Sequence, residues 1–272
     1  MQFNKIMNTN GFLSKKKVAA VIILVCLTIV AVAVQHNITA TGTKLKKPVS
    51  KGHSRKHKLD PEILNQLESV VTKISSHKIY SFTGSVTAID EADTAQVISN
   101  VPLIVFQGNN QMYYRMGDTE TIIDDGLSLT IDHNIKKILL SANNTMQTPL
   151  TGNIVNIRDI SDALSSEKYT LTSSVKGEKQ TITLINEHHI TCKEYSLTYD
   201  SGTLMPSRIY TRLTNFDDPL KTDNEKVIDI RVTNWNTKLH MSNYARVKAI
   251  VSKADGEWKA IGKYEGYTII EI

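Results

Sequence analysis

Cysteine is scarce in this sequence: two occur among 272 residues, and they lie in segments of different character. Cys26 falls within a hydrophobic run, whereas Cys192 stands alone in the region downstream, so no disulfide is expected within the folded part. This count excludes a small scaffold held together by disulfides. The chain must instead bury a hydrophobic core, and a hydrophobic content of 40% is sufficient for one.

Acidic residues are absent from the first 59 positions, which carry eleven lysines and arginines. The rest of the chain, from Asp60 onward, has 21 basic and 27 acidic residues, a net charge of −6. The overall charge of +5 therefore comes from the N-terminal segment. Because an acidic domain repels phosphate backbones, we expect no nucleic-acid partner.

Catalytic motifs are also missing, since the sequence contains no glycine-rich phosphate loop, nucleophile elbow, HExxH or paired CxxC. We therefore expect a protein that is not an enzyme and that uses no cofactor and no metal. The densest group of metal-ligand residue types is Glu187, His188, His189, Cys192 and Glu194. Adjacent residues of a strand point to opposite faces, so a polar hairpin tip explains this group better than a metal site does.

One long hydrophobic run is present, at 18–34, directly after three lysines at 15–17. Its length of about 25 Å as a helix predicts a transmembrane anchor; a cleaved signal peptide is the alternative. Because the lysines that abut the run are N-terminal, residues 1–17 are expected to be a cytoplasmic tail. The sequence thus predicts a single-pass protein of the bacterial inner membrane whose domain faces the periplasm.

Residues 35–58 are basic and show almost no apolar periodicity, which is typical of a flexible or extended linker. Two interpretations stay open for this linker. It contacts anionic lipid headgroups of the inner membrane, or it is a solvated spacer.

The remaining segment, 59–272, is expected to form one domain that begins with a helix. Asp60 is suited to cap this helix, Pro61 suits its first turn, and an apolar stripe runs from Ile63 to Ile74. Period-two alternation then predicts a series of strands, with a short amphipathic helix between 149 and 168. The predicted strands are 79–89, 97–106, 111–116, 121–124, 127–132, 136–142, 169–175, 180–185, 191–199, 203–214 and 226–236.

Short connections between these strands indicate an antiparallel meander, and Asp255-Gly256 predicts a last hairpin formed by 246–253 and 258–263. Asp124-Asp125 and Asp217-Asp218 are interpreted as turn formers. The predicted fold class is therefore α+β: a curved, half-closed antiparallel sheet with covering helices, preceded by one transmembrane helix.

Apolar side chains that alternate along the strands are candidates to line a ligand cavity between the sheet and the helices, although such residues more often simply form the core. The candidate residues are Phe82, Val86, Tyr114, Met116, Leu129, Ile131, Ile138 and Leu140.

Residues 121–138 have the order strand, Asp-Gly turn, strand and basic turn, and residues 195–209 the order strand, glycine turn and Leu-x-Pro. In these elements the two segments resemble the LolA/LolB-like fold of periplasmic lipoprotein carriers. The resemblance covers about 59–236, and the hairpin after Asn236 has no counterpart in it.

The resemblance implies an acyl chain, lipoprotein or other apolar ligand held between sheet and helices by a membrane-anchored binding protein. A scaffold or accessory subunit of an envelope or secretion complex, which acts by contact with an envelope protein partner, is the alternative.

Overall fold

The computed structural model describes residues 59–92, 97–108, 111–142, 164–214, 224–238, 244 and 246–272. The chain divides into two units, Met1–Lys44 and Leu45–Ile272, and every described residue belongs to the second. None of the described helices is long and apolar enough to cross a membrane. The tail, anchor and linker predicted at 1–17, 18–34 and 35–58 lie outside the described residues.

Helix α1 (Pro61–Ser76) forms as its sequence predicts. The carboxylate of Asp60 accepts a hydrogen bond of 2.8 Å from the backbone N–H of Glu62, which satisfies one of the free donors of the first turn. Its apolar stripe buries Leu64, Leu67 and Val70, so the helix packs on the sheet along one side.

The described residues also form fourteen strands. The first six are β1 (Tyr80–Asp90), β2 (Ile98–Gln107), β3 (Met112–Met116), β4 (Thr119–Asp124), β5 (Leu127–Asp132) and β6 (Lys137–Ala142). The next five are β7 (Thr170–Lys176), β8 (Lys179–Ile185), β9 (Cys192–Asp200), β10 (Pro206–Leu213) and β11 (Lys226–Asn236). The last three are β12 (Val251–Ala254), β13 (Glu257–Ala260) and β14 (Thr268–Glu271).

Twelve of these strands form one sheet in the order β14-β6-β5-β4-β3-β2-β1-β11-β10-β9-β8-β7, and β12 pairs only with β13. The sheet consists of two antiparallel meanders, β1 to β6 and β7 to β11, that join where β11 pairs with β1. Strand β14 adds to β6 in parallel, which the sequence did not predict.

The predicted fold class is wrong in its helical part. The described residues contain one long helix, on one half of the sheet, and the domain is predominantly β. The opposite side of the sheet is covered by the C-terminal segment, which consists of short 3-10 turns and the β12–β13 hairpin rather than helices. The second helix predicted between 149 and 168 lies mostly outside the described residues, and the transmembrane helix lies entirely outside them.

The two sides of the sheet carry separate cores. On the side that we call the helix face, α1 packs against strands β7 to β10, and Leu67, Val70, Ile182 and Leu197 belong to one core. On the other side, the tail face, the C-terminal segment from 246 to 267 packs against strands β2 to β6.

Two strands approach each other closely at Gly84, at the junction of the meanders. The pairing of β1 with β11 shifts register between Thr83 and Gly84, which marks a bulge. A Cβ atom on Gly84 would lie 2.0 Å from the carbonyl oxygen of Arg231. Only glycine fits there, and bulges of this kind increase the bend and twist of a sheet.

Candidate apolar binding face

Four of the eight predicted cavity residues share the helix face of the sheet. Phe82 lies opposite Val105, and Val105 lies opposite Tyr114. Residues directly opposite each other in a sheet point to the same side, as do residues two apart in one strand. Val86 and Met116 therefore belong to this face too.

The same face continues without interruption under α1. Val86 pairs with Ile230, which pairs with Ile209, which in turn pairs with Leu197 of the helix core. Val86 is fully buried, and Ile230 and Leu197 are nearly so. The helix face is thus one apolar surface that joins the two meanders.

Three aromatic side chains, Tyr80, Phe82 and Trp235, lie together on this surface. The ring of Trp235 lies 4.9 Å from that of Phe82 and 5.8 Å from that of Tyr80, centroid to centroid. The indole N–H of Trp235 donates a 2.7 Å hydrogen bond to the carbonyl oxygen of Pro206, which fixes the orientation of the ring. Burial raises the pKa of the Tyr80 phenol above its usual range, so this tyrosine is neutral near pH 7. No sequence pattern singles out Trp235, because it is the register of β11 that brings it to Phe82.

The other four predicted residues point away from this face. Tyr114 lies opposite Thr121, Thr121 opposite Thr130, and Thr130 opposite Leu139. The immediate neighbours of Thr130 and Leu139 consequently lie on the tail face. These neighbours are Leu129, Ile131, Ile138 and Leu140.

On the tail face these four side chains are buried against the C-terminal segment, where they contribute to a core with Ile250 and Tyr264. The structure therefore brings the eight residues together as two groups of four, on opposite sides of the sheet.

Two buried carboxylates hold the C-terminal segment on the tail face. Asp124 is fully buried, and both of its oxygens accept hydrogen bonds from the guanidinium of Arg246, at 3.1 and 3.2 Å. The side chain of Gln111 donates a third, at 2.8 Å. Asp125, with φ of 51°, does form the turn, but Asp124 does not act as a turn former. The predicted pair Asp217-Asp218 lies outside the described residues.

Glu120 is the second of these carboxylates. It accepts a hydrogen bond from the Tyr264 hydroxyl at 3.3 Å and lies 3.2 Å from Nε2 of His133. Burial, followed by the charge of Glu120, raises the pKa of Tyr113 to about 12. Hydrogen bonds to buried carboxylates therefore hold the C-terminal segment on the sheet in addition to its apolar packing.

The predicted hairpin tip is present, and its residues have structural partners. Residues 186–191 connect β8 to β9, and Nδ1 of His189 accepts the backbone N–H of Cys192 at 3.1 Å. Glu187 and Glu194 both bind the guanidinium of Arg212. Within the described residues, no three histidine, cysteine, aspartate or glutamate side chains are placed to hold a metal ion.

Comparison with known proteins finds structural likeness at low sequence identity. No protein-family model matches the chain, and no match is found among characterised proteins. Solved structures of LolA superfamily proteins are among those similar to it, in agreement with the resemblance seen in the sequence.

Three solved structures illustrate the likeness. An uncharacterised conserved protein from Thermus thermophilus is 10% identical, with a TM-score of 0.40 over 78% of this chain and 98% of that one. A chain of the Pseudomonas aeruginosa MucA/MucB complex is 14% identical, with a TM-score of 0.38 over 74% of this chain and 63%, less than two thirds, of that one. The LolA superfamily protein NE2245 from Nitrosomonas europaea is 10% identical, with a TM-score of 0.28 over 66% of this chain and 97% of that one.

Proposed function

We propose that this protein is a non-enzymatic binding protein that works outside the cytoplasm and holds an acyl chain or another apolar ligand, free or attached to a lipoprotein, on the helix face. The contact between Phe82 and Trp235, with Tyr114 and Met116 on the same face, supports an apolar ligand rather than a polar one.

The observation that carries this proposal is the width of the apolar surface. A single row of apolar side chains crosses six strands and spans about 24 Å at about 4.8 Å per strand. The row consists of Val101, Val86, Ile230, Ile209, Leu197 and Ile182. Helix α1 packs over the β7 to β10 end of this surface, and the row continues beyond it onto β11, β1 and β2.

The side chains beyond α1 suit a flexible apolar ligand. Met112 and Met116 lie on the helix face of β3, and methionine adapts its shape to irregular partners better than branched residues do. Phe82 and Trp235 add two aromatic rings, in contact with each other, on the same face. Apolar and aromatic linings of this kind are typical of small-molecule binding sites.

A charge placed on this surface tests the proposal. In the full-length chain, Tyr114→Glu puts a carboxylate on the helix face of β3, where Tyr114 is partly exposed. We expect this variant to bind a fluorescent fatty acid about tenfold more weakly, because an apolar ligand would have to desolvate the carboxylate.

Thr183→Glu is the matched control, since Thr183 is also partly exposed but lies on the side of the sheet opposite α1. It should bind the probe as the unchanged chain does. Equal binding by the unchanged chain and the Tyr114→Glu variant, or no binding by either, would refute a ligand site on the helix face.

A further inference from the structure

The two ends of the twelve-stranded sheet differ in how their edges are protected. At one end the chain adds the short strand β14 to β6, and β14 carries a charge at Glu271. At the other end β7 is seven residues long, and no strand of the described residues pairs with its outer edge. Open edges are usually blunted by charges, proline or bulges, yet β7 has none of these before Lys176.

The hairpin geometry shows which backbone groups of β7 face outward. Lys176 pairs with Lys179 across a two-residue turn, and antiparallel pairs alternate between hydrogen-bonded and non-hydrogen-bonded. In a two-residue hairpin the pair that flanks the turn is hydrogen-bonded. Leu171, Ser173 and Val175 therefore direct their N–H and C=O groups away from β8.

These three positions are symmetric about Ser173, so β7 is complementary to a second copy of itself. If two β7 strands run antiparallel with Ser173 opposite Ser173, Leu171 faces Val175 and Thr170 faces Lys176. About six backbone hydrogen bonds would form, and no like charges would face each other.

Side chains support the same register. Val175 is 71% exposed, an unusual state for a valine, and in this pairing it would be covered by Leu171 of the second copy. On the opposite side of the sheet, Thr172 would face Ser174. Each of these continues a row of hydroxyls that already crosses β8 and β9, where Thr181 meets Thr198 at 2.9 Å and Thr183 meets Ser196 at 3.0 Å.

Helix α1 also lies beside the symmetry axis. The side chain of Gln66 contacts both Ser173, at 3.5 Å, and Gln180, at 2.7 Å. Two copies would thus bring their α1 helices together on one side of a joined sheet, which enlarges the interface beyond the strand pair.

We infer that the protein forms a symmetric dimer in which the β7 strands of two copies pair antiparallel about Ser173. This inference is independent of the ligand site, because it depends only on the edge of the sheet.

Cysteine crosslinking of the full-length chain tests the register. In a background with Cys26→Ser and Cys192→Ser, Ser173→Cys places two thiols next to each other on the axis, within disulfide distance. Mild oxidation should convert most of the Ser173→Cys protein to a covalent dimer. Val175→Cys is the matched control, since Val175 is more exposed but its symmetry mate lies four residues away along the pair.

Sedimentation gives a second measurement without cysteines. The unchanged chain should sediment as a dimer, and Val175→Lys should weaken the dimer at least about tenfold by placing a lysine against Leu171 of the second copy. Three outcomes would overturn the inference: a monomer at all concentrations, crosslinking of Val175→Cys equal to that of Ser173→Cys, or crosslinking to a different protein.

Discussion

At the scale of single residues, the geometry of the sheet depends on Gly84. Its backbone lies so close to Arg231 that an added methyl group would meet a carbonyl oxygen at 2.0 Å. The methyl carbon would be attached to one backbone and the oxygen belongs to the other. The contact could therefore be relieved only by moving the backbone of the bulge.

We therefore expect Gly84→Ala to lower the free energy of unfolding by about 2 to 3 kcal/mol, the cost of overpacking a tight site. Urea unfolding of the full-length chain measures this change in the free energy of unfolding. Gly202→Ala is the control, because the nearest atom to its Cβ position lies at 3.6 Å and the change should stay within about 0.5 kcal/mol. Equal losses for the two variants would show that the close approach at Gly84 does not exist.

A buried ion pair predicts how stability changes in acid. Lys193 and Glu225 are both nearly fully buried and lie 2.7 Å apart, and Arg212 adds a second contact to Glu225 at 2.9 Å. Burial alone would raise the pKa of Glu225, but the hydrogen bonds from Lys193 and Arg212 outweigh it and hold that pKa below its ordinary value.

A carboxyl whose pKa is lowered by folding stabilises the fold above its unfolded pKa, and this contribution is lost as the pH falls through the folded pKa. The protein should therefore lose stability below about pH 4.3, the ordinary pKa of glutamate. Glu225→Gln should be less stable at pH 7 and should lose less on acidification, as followed by urea unfolding at a series of pH values. If Glu225→Gln gave the same acid profile as Glu257→Gln, an exposed control, the ion pair would not be the cause.

At the scale of elements, the C-terminal segment and helix α1 stabilise opposite sides of one sheet. Ile250 is fully buried in the tail-face core, with no part in the helix face. Ile250→Ala should lower the free energy of unfolding by about 2 to 4 kcal/mol by leaving a cavity.

The same variant should bind a fluorescent fatty acid normally as long as it is folded, because the cavity lies on the side of the sheet away from Phe82 and Tyr114. Circular dichroism and probe titration of the same sample check both statements. Loss of probe binding by a folded Ile250→Ala protein would mean that the two faces do not act separately.

Local sequence patterns predicted most elements of the two meanders. Strands β5 and β11 have the predicted bounds, because period-two alternation and the Asp125-Gly126 turn are signals contained within a few residues. Segment 246–253 was predicted to be a strand, but it begins with the 3-10 turn Val247–Ala249, and only Val251–Ala254 is β. The ion pair of Arg246 with distant Asp124 contributes to this geometry and leaves no local pattern.

The candidate site shows the same limit. Alternation reveals that Tyr114 and Met116 share a side of β3, and that Leu129 and Ile131 share a side of β5. Alternation does not reveal whether Tyr114 and Leu129 lie on the same face of the sheet, because that depends on the register between strands. The observed register places them on opposite faces. The register of β11 also brings Trp235, which the sequence did not single out, beside Phe82.

At the scale of the whole molecule, the acidic domain has an apolar helix face, a tail face covered by its own C-terminal segment, and an edge at β7 with which no described strand pairs. These three surfaces have different chemistry, so they can be tested one at a time. The helix face matters most for function, because the proposed ligand would lie there.

The two tryptophans of the chain offer the most direct measurement. Trp235 lies on the helix face beside Phe82, whereas Trp258 packs at the tail-face core. A fatty acid with brominated carbons quenches the fluorescence of a tryptophan that it contacts. The full-length chain with Trp258→Phe reports on Trp235 alone, and the chain with Trp235→Phe reports on Trp258 alone. We expect saturable quenching of Trp235 and none of Trp258; quenching of both to the same extent, or of neither, would contradict a ligand site on the helix face.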